Sequence, residues 1–138
     1  MNVTRILPEG LESIWPQIEG YIQKAAKYTY GRFEAEDIKQ GLLTKPQQLW
    51  IPHTDTEIYG IVVTEITHYP RMSALTVHFL AGKNFNKWKD VTLERVQKFG
   101  RDSGCQIIDS YGRDGWEKVW ANYGFKKRFM FYELPLEN

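Results

Sequence analysis

Residues 80–87, with the sequence LAGKNFNK, combine the features of an anion-binding loop. They contain one glycine, Gly82, which permits close backbone approach, together with two lysines, Lys83 and Lys87, and two amide side chains. The surrounding pattern places this loop between a strand and a long helix, where free backbone N–H groups and the helix dipole attract negative charge. The loop could therefore hold a pyrophosphate, although the same composition also suits an ordinary polar loop that caps a helix.

Two residues inside predicted strands, Glu65 and His78, could accept or transfer a proton. Glu65 lies in an otherwise apolar strand, and strand alternation leaves two placements open: a base directed into a cleft, or a solvated residue on the outer face. For His78 the same choice exists between a catalytic and a structural role. We take these two side chains as the candidate catalytic residues.

The remaining reactive side chains predict no further site. Cys105 is the only cysteine, so an internal disulfide is excluded, and no base adjoins it in sequence. We therefore expect it to pack as an apolar residue rather than to act as a nucleophile. The histidines at positions 53, 68 and 78 are scattered without metal-ligand spacing, so the sequence predicts no metal site.

Length and composition predict one globular domain over residues 1–138. Hydrophobic residues make up 42% of the chain and charged residues 25%, which suits one packed core. The 18 basic and 17 acidic residues give a net charge of +1, so no global field favours nucleic acid or an anionic membrane. The amino end is too short and polar for a signal peptide, and no apolar run reaches the roughly 18 residues of a membrane span. We expect a cytoplasmic protein.

The hydrophobic periodicity changes along the chain from helical to strand-like and back. Ser13 is predicted to cap the first helix, with Pro16 in its first turn. The predicted order is β-α-α-β-β-β-α-β-α-β: strand 3–7, helices 14–26 and 33–43, strands 48–51, 58–67 and 74–81, helix 87–101, strand 105–110, helix 115–122 and strand 125–134.

This order predicts an α/β fold with one central mixed sheet flanked by helices. Strands 48–51, 58–67 and 74–81 form an antiparallel meander, and helix 87–101 connects strand 74–81 to strand 105–110 as a parallel crossover. Ligands of open α/β sheets bind at the carboxyl ends of the strands. We expect the two parallel strands to diverge there, next to residues 80–87.

The segment 125–132, FKKRFMFY, mixes basic and aromatic residues. Such a pattern can bind single-stranded nucleic acid by base stacking and phosphate contacts. Lysine also protects an edge strand against aggregation, and strand alternation distributes these residues over two faces. We interpret the segment as an edge strand, which disfavours a nucleic-acid partner.

The element order and several short motifs together resemble the GNAT superfamily of N-acetyltransferases. The motifs are GCQII at 104–108, GRDGW at 112–116 and YGF at 123–125. The pairing of QLWI at 48–51 with VTEI at 63–66 is, more narrowly, similar to the GNAT-like proteins of tailed bacteriophages and prophages. The resemblance covers nearly the whole chain and implies a GNAT-type fold.

The resemblance also implies where acetyl-CoA would bind. In GNATs the loop after the fourth strand binds the pyrophosphate through backbone N–H groups, and the gap between the fourth and fifth strands admits the pantetheine arm. Carried over to this chain, Phe79 and Leu80 would line the arm. The phosphates would be held by Gly82, Lys83, Asn84, Phe85 and Asn86.

Many GNATs have a tyrosine four residues before the glycine of a Gly-Phe pair, where its hydroxyl protonates the departing thiolate. At that spacing from Gly124 this chain has Trp120, and an indole cannot supply that proton. Two functions stay open. One is an N-acyltransferase that moves acetyl from acetyl-CoA to an amine acceptor, in the host cytoplasm if the protein is phage-encoded. The other is a catalytically degenerate phage protein that acts as a virion-associated structural or host-protein-binding module.

Overall fold

The structure, a computed structural model, describes residues 1–112 and 116–136 of the chain. Within these residues, five strands form one sheet in sequence order: β1 (Asn2–Ile6), β2 (Gln47–His53), β3 (Gly60–His68), β4 (Ser73–Gly82) and β5 (Ile107–Ser110). The first four strands pair antiparallel, whereas β4 and β5 run parallel. The predicted mixed α/β sheet, with its meander and its parallel crossover, is confirmed.

In the same residues four α-helices flank the sheet: α1 (Leu11–Lys27), α2 (Ala35–Thr44), α3 (Lys89–Asp102) and α4 (Glu117–Ala121). A 3-10 turn precedes α1 (Pro8–Gly10) and another precedes α3 (Phe85–Lys87). Helices α1 and α2 pack on one face of the sheet and α3 packs on the other, so each face has its own apolar core. Across the described part of the chain, every helix is too short or too polar to cross a membrane.

Helix α1 packs on the sheet because its apolar side chains recur at helical spacing. The helix begins at Leu11, earlier than predicted, so Pro16 lies in its second turn rather than in its first. The prediction that Ser13 caps the helix was wrong, since its hydroxyl donates instead to the carbonyl of Gly10 at 3.1 Å. The buried side chains of this helix are Leu11, Trp15, Ile18, Ile22 and Ala25.

Helix α3 and the residue before it cover the opposite face. Trp88, Thr92 and Val96 follow one another at four-residue spacing and are all buried, as the predicted apolar arc requires. Farther along the helix, the ring of Phe99 packs edge-on against Trp50 of β2, with the ring centroids 5.3 Å apart. The helix is thereby fixed against the middle of the sheet.

Strand β4 contains a register shift beside its last pair with β5. The shift falls between Val63 and Thr64 of β3, and His78 is the extra residue on β4. A bulge of this kind bends the strand and increases its twist. The bulge directly follows the pair formed by Val77 and Ser110, which is the last pair between the two parallel strands.

At its far end β4 is held tightly against β3. Gly60 pairs with Gly82, and a Cβ atom on Gly60 would lie 2.5 Å from the carbonyl oxygen of Ala81 and 3.0 Å from the ring of Trp88. No side chain fits in that space, so the approach of the two strands requires glycine. The start of the predicted anion-binding loop is therefore anchored to β3.

The prediction of a final strand at 125–134 was wrong, because the structure has no strand beyond β5 in its described residues. Aromatic and apolar residues favour a strand only where a neighbouring strand offers backbone partners, and β5 is only four residues long. The exposed large apolar side chains of residues 125–136 are Phe129, Met130, Phe131, Tyr132, Leu134 and Leu136.

Two element boundaries near the carboxyl end also differ from the prediction. Strand β5 begins at Ile107 rather than at 105, because the N–H of Cys105 still closes the end of α3 through the carbonyl of Gly100 at 2.9 Å. Helix α4 is described from Glu117. The predicted helix start at Gly115 lies outside the described residues.

Candidate active site

The candidate site is the gap where β4 and β5 part. The two strands pair over four residues, the last pair being Val77 and Ser110, and β4 then continues to Gly82 paired with β3 alone. The parallel arrangement and the divergence were both predicted from the sequence. Gaps of this kind at the carboxyl ends of strands are where open α/β sheets bind ligands.

Two cavities open into this gap, one on each face of the sheet. The α3-side cavity lies between β4, α3 and α4, and the α1-side cavity lies between β4, the end of α1 and the residues that follow β5. The residues that line both cavities are Val77, Leu80, Ser110 and Trp120. Two ligands that enter from opposite faces would therefore meet at the β4–β5 gap.

The α3-side cavity is apolar except for two buried polar atoms. The hydroxyl oxygen of Thr92 and the indole nitrogen of Trp120 line it, and neither has a hydrogen-bond partner among the described residues. A buried polar group without a partner costs about 1–3 kcal/mol, and native structures contain few of them. Both atoms belong to residues that line the same cavity.

A row of polar side chains crosses four strands on the α1 side of the sheet. Gln47 pairs with Glu65, Glu65 with Thr76, and Thr76 with Asp109, so the four residues share one face. The amide of Gln47 donates to Glu65 Oε1 at 3.2 Å, and the hydroxyl of Thr76 donates to Asp109 Oδ1 at 2.6 Å. This polar row places two carboxylates on one partly exposed surface.

The two predicted catalytic residues, Glu65 and His78, are in direct contact. His78 Nε2 lies 2.9 Å from Glu65 Oε1, and the two side chains are 32% and 25% exposed. His78 is the bulge residue of β4 and also lines the α1-side cavity. When Nε2–H donates to the carboxylate, Nδ1 is left as an acceptor, so the pair can take a proton from a group in that cavity.

The predicted phosphate loop is built on the closed end of the β3–β4 pair. The N–H of Lys83 donates to the carbonyl of Tyr59 at 2.9 Å, and the indole of Trp88 donates to the carbonyl of Lys83 at 2.8 Å. Asn84 then adopts a left-handed conformation, with φ of 52°, and turns the chain into the 3-10 turn that contains Phe85 and Asn86. The loop ends where α3 begins, where the first backbone N–H groups lack intrahelical partners.

The ammonium group of Lys83 is held by the carboxylate of Glu57 and lies over the ring of Tyr59. The hydrogen bond between them lowers the pKa of Glu57 and raises the pKa of Lys83. Nearby, Lys24 donates to the carbonyl of Gly82 at 2.9 Å. A phosphate that binds Lys83 must therefore compete with Glu57.

The two residues predicted to line an acyl-donor arm, Phe79 and Leu80, both reach the gap. Phe79 lines the α1-side cavity and packs edge-on against Phe33, with ring centroids 5.3 Å apart. Leu80 lines both cavities. The walls of the gap are thus apolar on the β4 side, which suits an uncharged chain.

Tyr123 lines the α3-side cavity, but its hydroxyl is already engaged. It donates to the carboxylate of Asp90 in the first turn of α3, and burial together with this bond raises the pKa of Tyr123 to about 12. A second tyrosine, Tyr111, lines the α1-side cavity and is 82% exposed.

Sequence reasoning missed Thr92 and Asp109. Thr92 lies at four-residue spacing between Trp88 and Val96 in the predicted helix 87–101, and Asp109 is a carboxylate inside the predicted strand 105–110. A polar group in a predicted core position was the available signal in both cases. Burial raises the pKa of the Cys105 thiol, which disfavours its reactive thiolate form. No cluster of three or more metal-ligating side chains occurs in residues 1–112 and 116–136.

Comparison with known proteins places this geometry in a fold family. No protein-family model matches the sequence, and no curated protein is similar to it. Solved structures match over almost the full chain. A structure described as a probable acetyltransferase has a TM-score of 0.74 at 13% identity, and the alignment covers 100% of both chains. The chain has the GNAT acetyltransferase fold.

Two further matches have a stated acceptor. A ribosomal-protein-alanine N-acetyltransferase from Brucella melitensis biovar Abortus 2308 has a TM-score of 0.71 at 10% identity, over 99% of this chain and 100% of that one. An aminoglycoside acetyltransferase from an uncultured soil metagenomic sample, in complex with sisomicin, has a TM-score of 0.69 at 9% identity, over 99% and 96%. At these identities the likeness concerns the GNAT fold alone.

Proposed function

We propose that the protein is an N-acetyltransferase that moves an acetyl group from acetyl-CoA to an amine. The observation that carries this proposal is the pair of cavities that meet at the β4–β5 gap, one mostly apolar and the other lined by His78, which contacts Glu65. A donor and an acceptor that enter from opposite faces would meet beside Val77 and Ser110. This arrangement suits direct transfer between two bound substrates.

We assign the acyl donor to the α3-side cavity. A pantetheine arm is mostly apolar but contains amide groups, and such groups can satisfy the buried hydroxyl of Thr92. Gly82 to Asn86 and the amino end of α3 would hold the phosphates, in accordance with the positive end of the helix dipole. Acetyl-CoA would supply the activated acyl group. The residues of this chain would position the two substrates and remove a proton from the amine.

Glu65 and His78 would deprotonate the acceptor. An amine is mostly protonated at neutral pH and has no free electron pair until a base removes a proton. His78 lines the α1-side cavity, and Glu65 would stabilise the charge that His78 gains. The pair therefore lies on the acceptor side of the gap, separate from the proposed donor side.

The polar row favours an acceptor that carries positive charge. Glu65 and Asp109 are carboxylates on one face of the sheet, and their hydrogen-bond partners there include the amide of Gln47 and the hydroxyl of Thr76. A cationic amine, on a small molecule or on a protein, would gain charge-assisted hydrogen bonds there. The motif order supports a further part of the proposal, that the protein belongs with phage GNAT-like proteins and acts in the cytoplasm of a host cell.

The test combines calorimetric titration with acetyl-CoA and a transfer assay against a panel of amines. We expect wild-type protein to bind acetyl-CoA and to acetylate cationic amines. Glu65→Gln should lower kcat by about 10²–10⁴-fold and leave acetyl-CoA affinity nearly unchanged, because the base acts on the acceptor. Glu94→Gln, on the exposed side of α3, is the matched control and should behave as wild type.

Absence of both binding and transfer in the wild type would refute the proposed function. In that case the degenerate structural or host-binding module would be the remaining candidate of the two that the sequence leaves open. If the wild type and Glu65→Gln both bind acetyl-CoA and have equal turnover, the proposed donor site is supported. The proposal that Glu65 forms part of the base is then wrong.

A further inference from the structure

We propose that the indole N–H of Trp120 donates a hydrogen bond to the sulfur atom that leaves during acetyl transfer and stabilises it as a thiolate without protonating it. This inference rests on the proposed N-acetyltransferase function. It assigns a catalytic role to the residue that occupies the position of the usual proton donor.

The placement of Trp120 is the first support. Its indole nitrogen is buried, has no hydrogen-bond partner among the described residues, and belongs to a side chain that lines both cavities. The ring is held between Trp116, stacked at 5.6 Å and 22°, and Phe125, at 5.0 Å. Its orientation is therefore fixed by packing before any ligand arrives.

Gly112 packs directly beside the indole N–H. A Cβ atom at this position would lie 3.2 Å from the indole nitrogen of Trp120, closer than nine in ten Cβ contacts in proteins. Glycine at the end of β5 therefore lets the indole keep its position without a steric clash.

Two other polar side chains near the place where the cavities meet, Ser110 and Tyr123, are already hydrogen-bonded. The hydroxyl of Ser110 donates to the carbonyl of Val77 at 3.2 Å, and the hydroxyl of Tyr123 donates to Asp90. Of the residues that line both cavities, Trp120 alone brings an unpaired side-chain donor. An anionic sulfur among apolar walls needs such a donor, because burying a charge without a hydrogen bond is costly.

The step balances without a proton from the indole. The electron pair of the neutral amine nitrogen forms the C–N bond, and the C–S bond breaks with its pair on sulfur. The amine enters this step neutral, its first proton having passed to solvent through the Glu65–His78 pair, and the second proton, lost from nitrogen as the C–N bond forms, goes to that pair. The indole keeps its proton throughout and donates a hydrogen bond to the thiolate, which takes a proton from water after release. A thiol is acidic enough to leave as an anion when that anion is stabilised.

The direct test is NMR of the indole N–H groups during titration with coenzyme A and with desulfo-coenzyme A, which lacks the sulfur atom. The signal of Trp120 is assigned by its loss in Trp120→Phe. We expect this signal to move downfield with coenzyme A at a pH where the thiol is ionised and to stay in place with desulfo-coenzyme A. Equal shifts with the two ligands would overturn the proposal, since the sulfur would then have no part in the contact.

The bound thiol gives a second measurement. Its pKa, followed by thiolate absorbance, should be lower by about one pH unit in wild type than in Trp120→Phe, because the hydrogen bond favours the anion. In the same variant kcat should fall about tenfold to a hundredfold while coenzyme A affinity stays within about twofold. Trp15→Phe, in which an indole bonded to Glu19 is lost on α1, should keep wild-type turnover.

Two further outcomes separate the claims. If Trp120→Phe loses affinity for coenzyme A but not turnover, the indole is a wall of the binding site and the proposal is wrong. If wild type neither binds coenzyme A nor transfers acetyl, the proposed function fails and this inference fails with it. The wild-type thiol pKa, compared with that of free coenzyme A, needs no variant and gives the answer even if Trp120→Phe does not fold.

Discussion

Strand β4 pairs with β3 on one side and with β5 on the other, and the two pairs differ in length. Its antiparallel pair with β3 has nine residue pairs, from Gly60 with Gly82 to His68 with Ser73, whereas its parallel pair with β5 has four. The longer pair is closed at its end by glycines and by Trp88, and the shorter pair opens into two cavities. One strand thus provides the stability of the sheet on one edge and access for ligands on the other.

Closing the β3–β4 pair too tightly should have the largest effect on stability. Gly60→Ala places a methyl group 2.5 Å from the carbonyl oxygen of Ala81, so the backbone of two strands must move. We expect the free energy of unfolding to fall by about 3 kcal/mol, at the upper end of overpacking. Urea denaturation followed by circular dichroism measures this change.

The matched control is Gly20→Ala in the middle of α1, where no atom lies within 4 Å of the new methyl group. This variant should gain about 0.5–1 kcal/mol, because alanine replaces glycine in a helix. Equal and small effects of the two substitutions would show that the end of the β3–β4 pair is not close-packed.

Filling the β4–β5 gap should remove ligand binding with a smaller loss of stability. Ser110→Phe puts a ring at the place where the two cavities meet. The free energy of unfolding should fall by about 1–2 kcal/mol, less than in Gly60→Ala, because the hydrogen bond from Ser110 to Val77 is lost while the ring enters the cavities. Acetyl-CoA affinity should fall at least about tenfold, or about 1.4 kcal/mol, in calorimetric titration.

Ser103→Phe, on an exposed residue after α3, controls for the added ring and should bind acetyl-CoA as wild type does. Wild-type affinity in Ser110→Phe as well would mean that the donor does not pass between the two strands. The difference between the β3–β4 pair and the β4–β5 pair would then have no role in donor binding.

Changing the loop at the end of the closed pair should alter phosphate binding in two directions. Lys83→Glu should weaken acetyl-CoA binding by about 1–3 kcal/mol, because a charge-assisted hydrogen bond becomes a repulsion. Glu57→Gln should strengthen it, because Lys83 no longer has a carboxylate partner. Lys45 lies before β2, at the opposite end of the sheet, so Lys45→Glu should leave acetyl-CoA affinity unchanged.

An unchanged affinity in both Lys83→Glu and Glu57→Gln would place the phosphates elsewhere. A loss in both variants would instead show that the ion pair shapes the loop and that neither charge contacts the ligand. The two variants together therefore separate a direct role of Lys83 from a structural one.

The smallest expected effect is on stability at high pH, and it involves the part of the sheet where β4 and β5 are paired. Tyr69 donates to Asp109 at 2.9 Å, and this bond raises the pKa of the Tyr69 phenol. A raised pKa in the folded state stabilises the protein below the unfolded value, near 10, and this contribution is lost as pH rises through the folded value. In Asp109→Asn the phenol should titrate at lower pH, and stability should fall less steeply above pH 10.

Ultraviolet absorbance titration of wild type and Asp109→Asn follows the phenolate directly. Tyr69→Phe identifies which absorbance change belongs to this residue. Coincident curves for wild type and Asp109→Asn would mean that the hydrogen bond does not persist in solution, and that the paired end of β5 is looser than the register indicates.

Local pattern was sufficient to predict the parallel crossover and the place of the gap. The helical spacing of Trp88, Thr92 and Val96 and the β-branched runs on either side define a strand, a helix and a strand, and such a unit is almost always a right-handed crossover. The loop at 80–87 could be located for the same reason. These features depend on residues that are close in sequence.

The contacts inside the site could not be predicted, because each depends on register. One extra residue on β4 brings His78 to Glu65, and the sequence has no mark that separates a bulge from a regular strand there. Likewise Lys83 meets Glu57 only because Gly60 pairs with Gly82. The prediction of a strand at 125–134 was wrong for the opposite reason. The composition favours a strand, but the fold offers these residues no neighbouring strand with which to pair.

The exposed segment after α4 has a consequence for how the protein behaves in concentrated solution. Residues 129–136 expose six large apolar side chains, while the whole chain has a net charge of only +1. Near neutral pH, two molecules of the protein repel each other only weakly, so electrostatic repulsion opposes contact between the exposed apolar segments to a small extent. Colloidal stability should therefore be lowest close to physiological pH and should improve in mildly acidic buffer, where protonated histidines and carboxylates raise the net charge.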